Sequence, residues 1–454
     1  MNVKGTEEFG SYLSRLYPNE TSKIGKVGAR TATIQVTDAC NLRCTYCYQI
    51  NKGTNYIDVE MAKKFIDMLL SDDNEYINTK LSAGLILDFI GGEPLLAIDI
   101  IDELTRYVIA EMVRLKHPWL HRFRISICSN GTLYFDSKVQ NYLRRYSNII
   151  SFSISIDGNK ELHDSCRIFP DGSGSYDIAM KAVNHYRKTF NRSIDTKMTL
   201  SPYNIYHTFD AIKNLIENKY TTINFNCVFE EGWTKEHAKI YYQQLKQIAD
   251  YYLENKLYDS VYLSRFDPDH YGPMSPEHNE NYCGGLGDMI AINYTGNIYP
   301  CIRYMESSLG DDVPSPIIGD IESGIMKKDK YSELVSMMKS CTRRSQSTDE
   351  CFYCPIASGC AWCSAYNYQK FGCFNKRATY ICDMHKAEAL ANTYYWNKFY
   401  LLVDRDDYKE NHCPKEWAID IIGEEEFNSL ENLVEQAKSH CKQSINNQPK
   451  EDTI

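Results

Sequence analysis

From residue 31 to about 230 the chain alternates short β-branched runs with longer amphipathic stretches, a rhythm that restricts the fold to few architectures. The strand-like runs are TATIQVT (31–37), LILDFI (85–90), FRISIC (123–128), IISFSISID (149–157), DTKMTL (195–200) and TTINFNCV (221–228). Between them lie helical patterns at 59–70, 98–115, 177–190 and 207–219. Six strand-then-helix repeats imply parallel strands joined by right-handed crossovers, hence an α/β barrel or an open sheet. Parallel sheets collect ligands at the carboxyl ends of their strands, so the residues after each run are the candidates for function.

The net charge of −10 argues against a general nucleic-acid binder, since phosphate affinity needs clustered Lys and Arg. The N-terminal MNVKGTEEFGSYL lacks the apolar core of a secretory signal, and no long apolar window offers a membrane span. A cytoplasmic chain is expected. In that compartment its 17 cysteines should be reduced, and metal or redox chemistry is their usual reason to cluster. The loop-rich FDPDHYGPMSPEHNENY marks a boundary. The expected division is an N-terminal extension (1–30), an α/β unit (31–258), a linker (259–282), a cysteine-rich domain with a following helix at 384–402 (283–400), and a C-terminal extension (401–454) with a polar, frayed end.

Cys40, Cys44 and Cys47 form CxxxCxxC directly after the first strand. Three thiolates on a [4Fe–4S] cube leave one iron without a protein ligand. The amino and carboxylate groups of S-adenosylmethionine (SAM) can chelate that iron, and reductive cleavage then yields a 5′-deoxyadenosyl radical. A structural zinc site, the competing reading, wants four closed ligands, and no fourth lies nearby. The second strand ends in Gly91, Gly92, Glu93 and Pro94. The glycines permit close backbone approach to a ligand, and Glu93 can accept from an ammonium group. Ser129 and Asn130 end the third strand, and Ser155 and Asp157 the fourth. Polar or glycine motifs at four successive strand ends amount to one mouth.

These motifs together, with GGEP, SNGT and SIDG following the cysteines, resemble the radical SAM superfamily over about residues 31–230. The resemblance implies a partial (β/α)6 barrel. It places Cys40, Cys44 and Cys47 on the cluster, Glu93 at the methionine amino group, Tyr46 near adenine, and Ser129, Asn130 or Ser155 along the cofactor.

A second field begins at Cys283 and Cys301, which fit C-x12-G-x4-C through Gly296. Cys351, Cys354, Cys360, Cys363 and Cys382 follow. This resembles the SPASM domain, which carries auxiliary iron–sulfur clusters, although the gap before Cys363 is two residues where that pattern has three. The resemblance implies that Cys351, Cys354, Cys360 and Cys382 ligate one [4Fe–4S] cluster. Cys283, Cys301 and Cys363 would supply three ligands to another, its fourth place open or taken by His278, Cys341 or Cys373. Three clusters in all are then expected; paired zinc knuckles are the alternative. Cys128, Cys166, Cys227, Cys413 and Cys441 show no ligand spacing and read as small buried hydrophobes or surface thiols.

Anaerobic sulfatase maturases resemble this whole arrangement but place Asp after the cysteine that matches Cys301, where this chain has Ile302. CIRYMESSLG and CDMHKAEALANTYYWNK look more like maturases of ribosomally made peptides with CXXX-type repeats. That resemblance implies a cysteine-rich precursor peptide, thioether cross-links, and a reducing partner such as flavodoxin or ferredoxin. With 30 residues before the expected first strand, leader recognition is expected to use another surface or a separate protein. A radical RNA-modifying enzyme and a non-catalytic iron–sulfur electron carrier are the remaining alternatives. Arg167 reads equally as a peptide contact and as a surface salt bridge.

Overall fold

The computed structural model describes residues 28–447 apart from 72–75, 231, 282, 326–327, 404, 406 and 411–412. Nearly all of the expected N-terminal extension lies outside the described residues. The six expected strands all form: β1 (Ala29–Thr37), β2 (Gly84–Gly91), β3 (Phe123–Ser129), β4 (Ile150–Ile154), β5 (Thr196–Leu200) and β6 (Thr222–Cys227). The intervening helices are α1 (Val59–Leu70), α2 (Ile98–Arg114), α3 (Ser137–Arg145), α4 (Lys160–Cys166), α5 (Tyr176–Phe190) and α6 (Thr208–Glu217), with α7 (Lys235–Glu254) after β6. Local rules account for their ends. Asp58 caps α1 by accepting from the Met61 amide at 2.9 Å, and Ala62, Phe65, Ile66 and Leu69 form its buried stripe.

β1 to β4 pair in parallel and in order. The ladder then stops. β5, β6 and the short β7 (Tyr262–Leu263) form a separate parallel sheet. Across the seam a side chain replaces the ladder: Thr196 Oγ1 accepts from the Ile156 amide at 2.9 Å and donates to its carbonyl at 3.2 Å. This is why the fourth strand is shorter than its apolar run suggests. The barrel is therefore partial and open, as the repeats implied.

Parallel strands covered on both faces normally read as continuous apolar runs. Here they alternate. Ala32, Ile34 and Val36 face the helices, while Thr33, Gln35 and Thr37 face the other way and are also buried. One wall of the sheet thus meets an apolar helix layer and the other a polar lumen.

The cysteine-rich half is joined to this sheet. β8 (Met289–Ile292) pairs in parallel with β1, from Thr31 opposite Met289 to Ile34 opposite Ile292. β9 (Asn297–Tyr299), β10 (Gly319–Asp320) and β11 (Gly324–Ile325) extend it antiparallel. The segment 259–282, expected as linker, contributes β7. Farther along come α8 (Asp329–Lys339), α9 (Ser364–Phe371), α10 (Cys382–Leu402), α11 (Lys415–Ile422) and α12 (Glu424–Asn447). The end expected to fray from about residue 440 is helical to Asn447, and Cys441 is buried. Among the described residues no helix is long and apolar enough to cross a membrane.

One buried ionic cluster ties the halves together. Arg265, from the 259–282 segment, lies 3.2 Å from Glu388 of α10 and also donates to the Phe225 carbonyl of β6. Glu388, only 1% exposed, accepts from Tyr241 of α7 at 3.0 Å and from Tyr271 at 3.2 Å. His385 bridges Glu388 and the Ala361 carbonyl, both at 3.1 Å. Burial alone would raise the Glu388 carboxyl; Arg265, His385 and Tyr241 outweigh it and hold it down at about 2. The stabilisation is present above the unfolded value near ~4.3 and is lost as pH falls through that range toward about 2. Arg265→Met leaves a buried unpaired carboxylate and is expected to cost about 3–5 kcal/mol in denaturant unfolding, less below pH ~4.

Candidate active site

The loop after β1 is closed at its base by Asp38, which accepts from the Asn55 amide at 2.7 Å and side chain at 2.8 Å. Two further backbone bonds pin it to the segment after α4: Arg43 N to Ile168 O (2.7 Å) and Thr45 N to Cys166 O (3.0 Å). Cys40, Cys44 and Cys47 ride on this loop, partly exposed. The glycines that close β2 are required by the loop itself. A Cβ on Gly92 would lie 2.3 Å from the Ala39 carbonyl and 2.6 Å from Cys40 Cβ; one on Gly91 would lie 2.7 Å from the Thr37 carbonyl. Glycine is what lets the end of β2 pack against the root of the cysteine loop.

Glu93 is fully buried and accepts from Ser129 Oγ (2.8 Å), the Asn130 amide (2.8 Å) and the Leu95 amide (3.0 Å). Burial raises its carboxyl and the three donors oppose the rise. A carboxylate has about four acceptor positions, so one remains for an ammonium group. Asn130 also donates to Asn41 at 2.8 Å, tying the end of β3 to the cysteine loop.

All ten residues singled out for cluster and cofactor line one cavity of about 460 Å³: Cys40, Cys44, Tyr46, Cys47, Gly91, Gly92, Glu93, Ser129, Asn130 and Ser155. Cys128, expected to be inert, lines it too, its sulfur 3.6 Å from Ser155 Oγ. Arg167 makes no surface salt bridge. It is buried and pairs with Asp157 at 2.7 Å, and Tyr46 donates to the same carboxylate. The sequence reading missed Tyr48, Lys197, Thr199, Asn226, Glu230 and Arg303, which also line the cavity. Period-two alternation in β5 and β6 marks Lys197, Thr199 and Asn226. Tyr48, Glu230 and Arg303 lie in loops and carry no such signal. Arg303 pairs with Glu230 at 2.8 Å and lies 4.8 Å from the Tyr48 ring centroid.

The second cysteine field separates into two groups. Burial raises the Cys301 thiol, and Cys363 and Cys283 beside it raise it further. Cys283 contacts Ser364 Oγ at 2.9 Å, and Gly285 packs against Cys301, a Cβ there lying 3.2 Å from its sulfur. Cys363 and Ile302 line the main cavity. Cys360 is pushed by burial to about 12, against the pull of Arg377 and with the push of Cys382, Cys351 and Cys354. Cys341 is raised by burial and by Cys373 beside it, and no thiol of either group acts on it.

Among the described residues no three His, Cys, Asp or Glu side chains gather tightly enough for a single metal ion. The cysteines of the second field stand in two groups of thiols that sense one another's charge. Their surroundings suit a multi-iron cluster. Arg377 faces Cys351 and Cys360, and the Trp362 Nε1 donor is buried without a protein partner beside them. Burial holds Cys44 at about 11 and Cys382 at about 11, so metal loading must displace protons from these thiols.

Residues 34–245 match the Radical SAM superfamily. The chain carries a radical SAM domain and is a radical SAM enzyme that uses S-adenosylmethionine. An uncharacterised protein of Methanocaldococcus jannaschii is 27% identical over 60% of this chain and 85% of its own length. The serine-type anaerobic sulfatase-maturating enzyme of Bacteroides thetaiotaomicron is 23% identical over 69% of this chain and 80% of its own. The subtilosin biosynthesis protein AlbA of Bacillus subtilis is 22% identical over 79% and 72%. In fold the chain is similar to anSMEcpe solved with bound AdoMet and the Cp18Cys peptide, with TM-score 0.56 and 18% identity over 79% of this chain and 95% of that one.

Gly92→Ala drives a methyl group into the cysteine loop. Iron affinity at Cys40, Cys44 and Cys47 should fall about 10–100-fold, read by iron titration of the anaerobic protein.

Proposed function

We propose that this chain is a peptide maturase of the SPASM type, taking hydrogen from a ribosomally made, cysteine-rich precursor and closing cross-links in it, thioethers foremost. The observation that carries the reading is Cys363, which brings the second cysteine field to the cavity lined by Cys40, Cys44 and Cys47. In this reading those three hold the SAM-cleaving [4Fe–4S] cluster. Cys351, Cys354, Cys360 and Cys382 hold one auxiliary cluster, and Cys283, Cys301 and Cys363 hold another. When loaded, the clusters supply reductive cleavage of SAM to a hydrogen-abstracting radical and a sink for the electron the substrate gives up.

The chain's own residues bind and enclose. Glu93 keeps an acceptor position for the methionine ammonium, and Asn130 fixes the cysteine loop beside it. Tyr46 and Arg167, held from behind by buried Asp157, wall one side, which limits water around a reactive intermediate. A second cavity of about 680 Å³ shares Tyr46, Cys47, Tyr48, Val228 and Glu230 with the first and gives a peptide a way in. Reduction falls to an external donor such as flavodoxin or ferredoxin, and leader recognition to a separate protein or another surface.

Formylglycine formation is the second reading, favoured by the sulfatase-maturating relatives. Against it, Ile302 puts an apolar side chain into the cavity where those enzymes carry Asp; Glu230 is a carboxylate lining the same cavity.

Anaerobically reconstituted protein should hold about twelve irons, four per cluster. Replacing Cys40, Cys44 and Cys47 with Ala should abolish 5′-deoxyadenosine formation and leave the other cluster signals. A cysteine-rich peptide co-expressed with the enzyme should lose about two mass units per cross-link, its cysteines becoming inert to alkylation. Formylglycine in a sulfatase peptide, with no cross-linked product, would decide for the second reading.

A further inference from the structure

We infer that Arg377 sets the reduction potential of the iron–sulfur cluster on Cys351, Cys354, Cys360 and Cys382, keeping it easier to reduce than the cluster on Cys283, Cys301 and Cys363. The inference rests on the ligand sets proposed above.

Arg377 spends its donors on this group alone. It donates to Cys360 Sγ at 3.1 Å, to the Cys360 carbonyl at 3.0 Å and to Cys351 Sγ at 3.6 Å. One guanidinium thus faces two of the four sulfurs and a ligand's carbonyl. The Trp362 ring, 4.2 Å from the guanidinium carbon, holds the plane in place. Among the described residues no carboxylate pairs with Arg377.

Arg343 lines the same cavity as Arg377 but spends its donors on the backbone carbonyls of Ser275, His278 and Phe352, and two further cations are paired with carboxylates. Lys386 acts on Cys354 and Cys382 but is paired with Asp383 at 3.3 Å. Arg303 acts on Cys301, beside the inner group, but is paired with Glu230 at 2.8 Å. Reduction adds one electron and one negative charge to a cluster. N–H···S donors and an unpaired cation favour the reduced form and raise the potential. An electron entering at Cys363, in the main cavity, would then run downhill to the outer cluster.

The test is an EPR-monitored redox titration of the full reconstituted chain with dithionite. Arg377→Gln should move the potential of one auxiliary cluster to more negative values by at least about tenfold in the one-electron equilibrium, ~59 mV. Arg377→Lys keeps the charge without the fork and should shift it less; the other potentials should stay in place. Unchanged potentials in both variants, or equal shifts in every cluster, overturn the inference. If the glutamine variant loses the cluster, the lysine variant decides: an unshifted potential there overturns the inference. The proposed ligand set fails separately if Cys354→Ala leaves all three cluster signals intact.

Discussion

Pairing of β1 on both edges is the constraint on which the rest of the molecule depends. β2 binds one side and β8 the other, so the strand that launches the first cysteine loop also anchors the hairpin between Cys283 and Cys301. A strand fixed on both sides cannot slip by one residue without exchanging its apolar and polar faces. The relative placement of the two cysteine regions is therefore built into a hydrogen-bond register, reinforced at its start by Arg30, which pairs with Asp288 at 2.9 Å.

Charge placement follows the same economy. Three arginines stand beside thiols, and each is balanced differently: Arg167 near Cys44 by buried Asp157, Arg303 near Cys301 by Glu230, and Arg377 near Cys360 by no carboxylate. A buried cation needs an anion nearby. Where the carboxylate is missing, the proposed cluster and its thiolates would be the anion.

Much of the architecture was legible from local pattern. The six strands and four of the helices between them follow from periodicity, and the cysteine motifs from spacing along one chain; α3, α4 and α7 lie outside the helical patterns read from the sequence. What stayed illegible was contact between distant residues. Nothing in GGEP reveals that Gly92 packs against the Ala39 carbonyl. Arg167 sits in a polar stretch that reads as surface, yet Asp157 buries it. The ion pair of Arg265 and Glu388 joins residues more than a hundred positions apart, one in a segment that reads as linker, the other in a helix whose apolar pattern gives no hint of a buried charge. The short strand β7 lacks the length to announce itself beside so many Pro and Asp residues.

The seam between β4 and β5 has a mechanical consequence. Elsewhere the wall is stitched by backbone ladders, which resist sliding because every rung must break together. Between β4 and β5 it is stitched by side chains: the Thr196 hydroxyl makes two bonds to Ile156, and Asp157 accepts from the Thr199 amide at 3.3 Å. The wall is thus two plates rather than one hoop. The buried Glu388 cluster holds the second plate through the Phe225 carbonyl of β6, so the bore of the lumen can widen at one line without unravelling a strand.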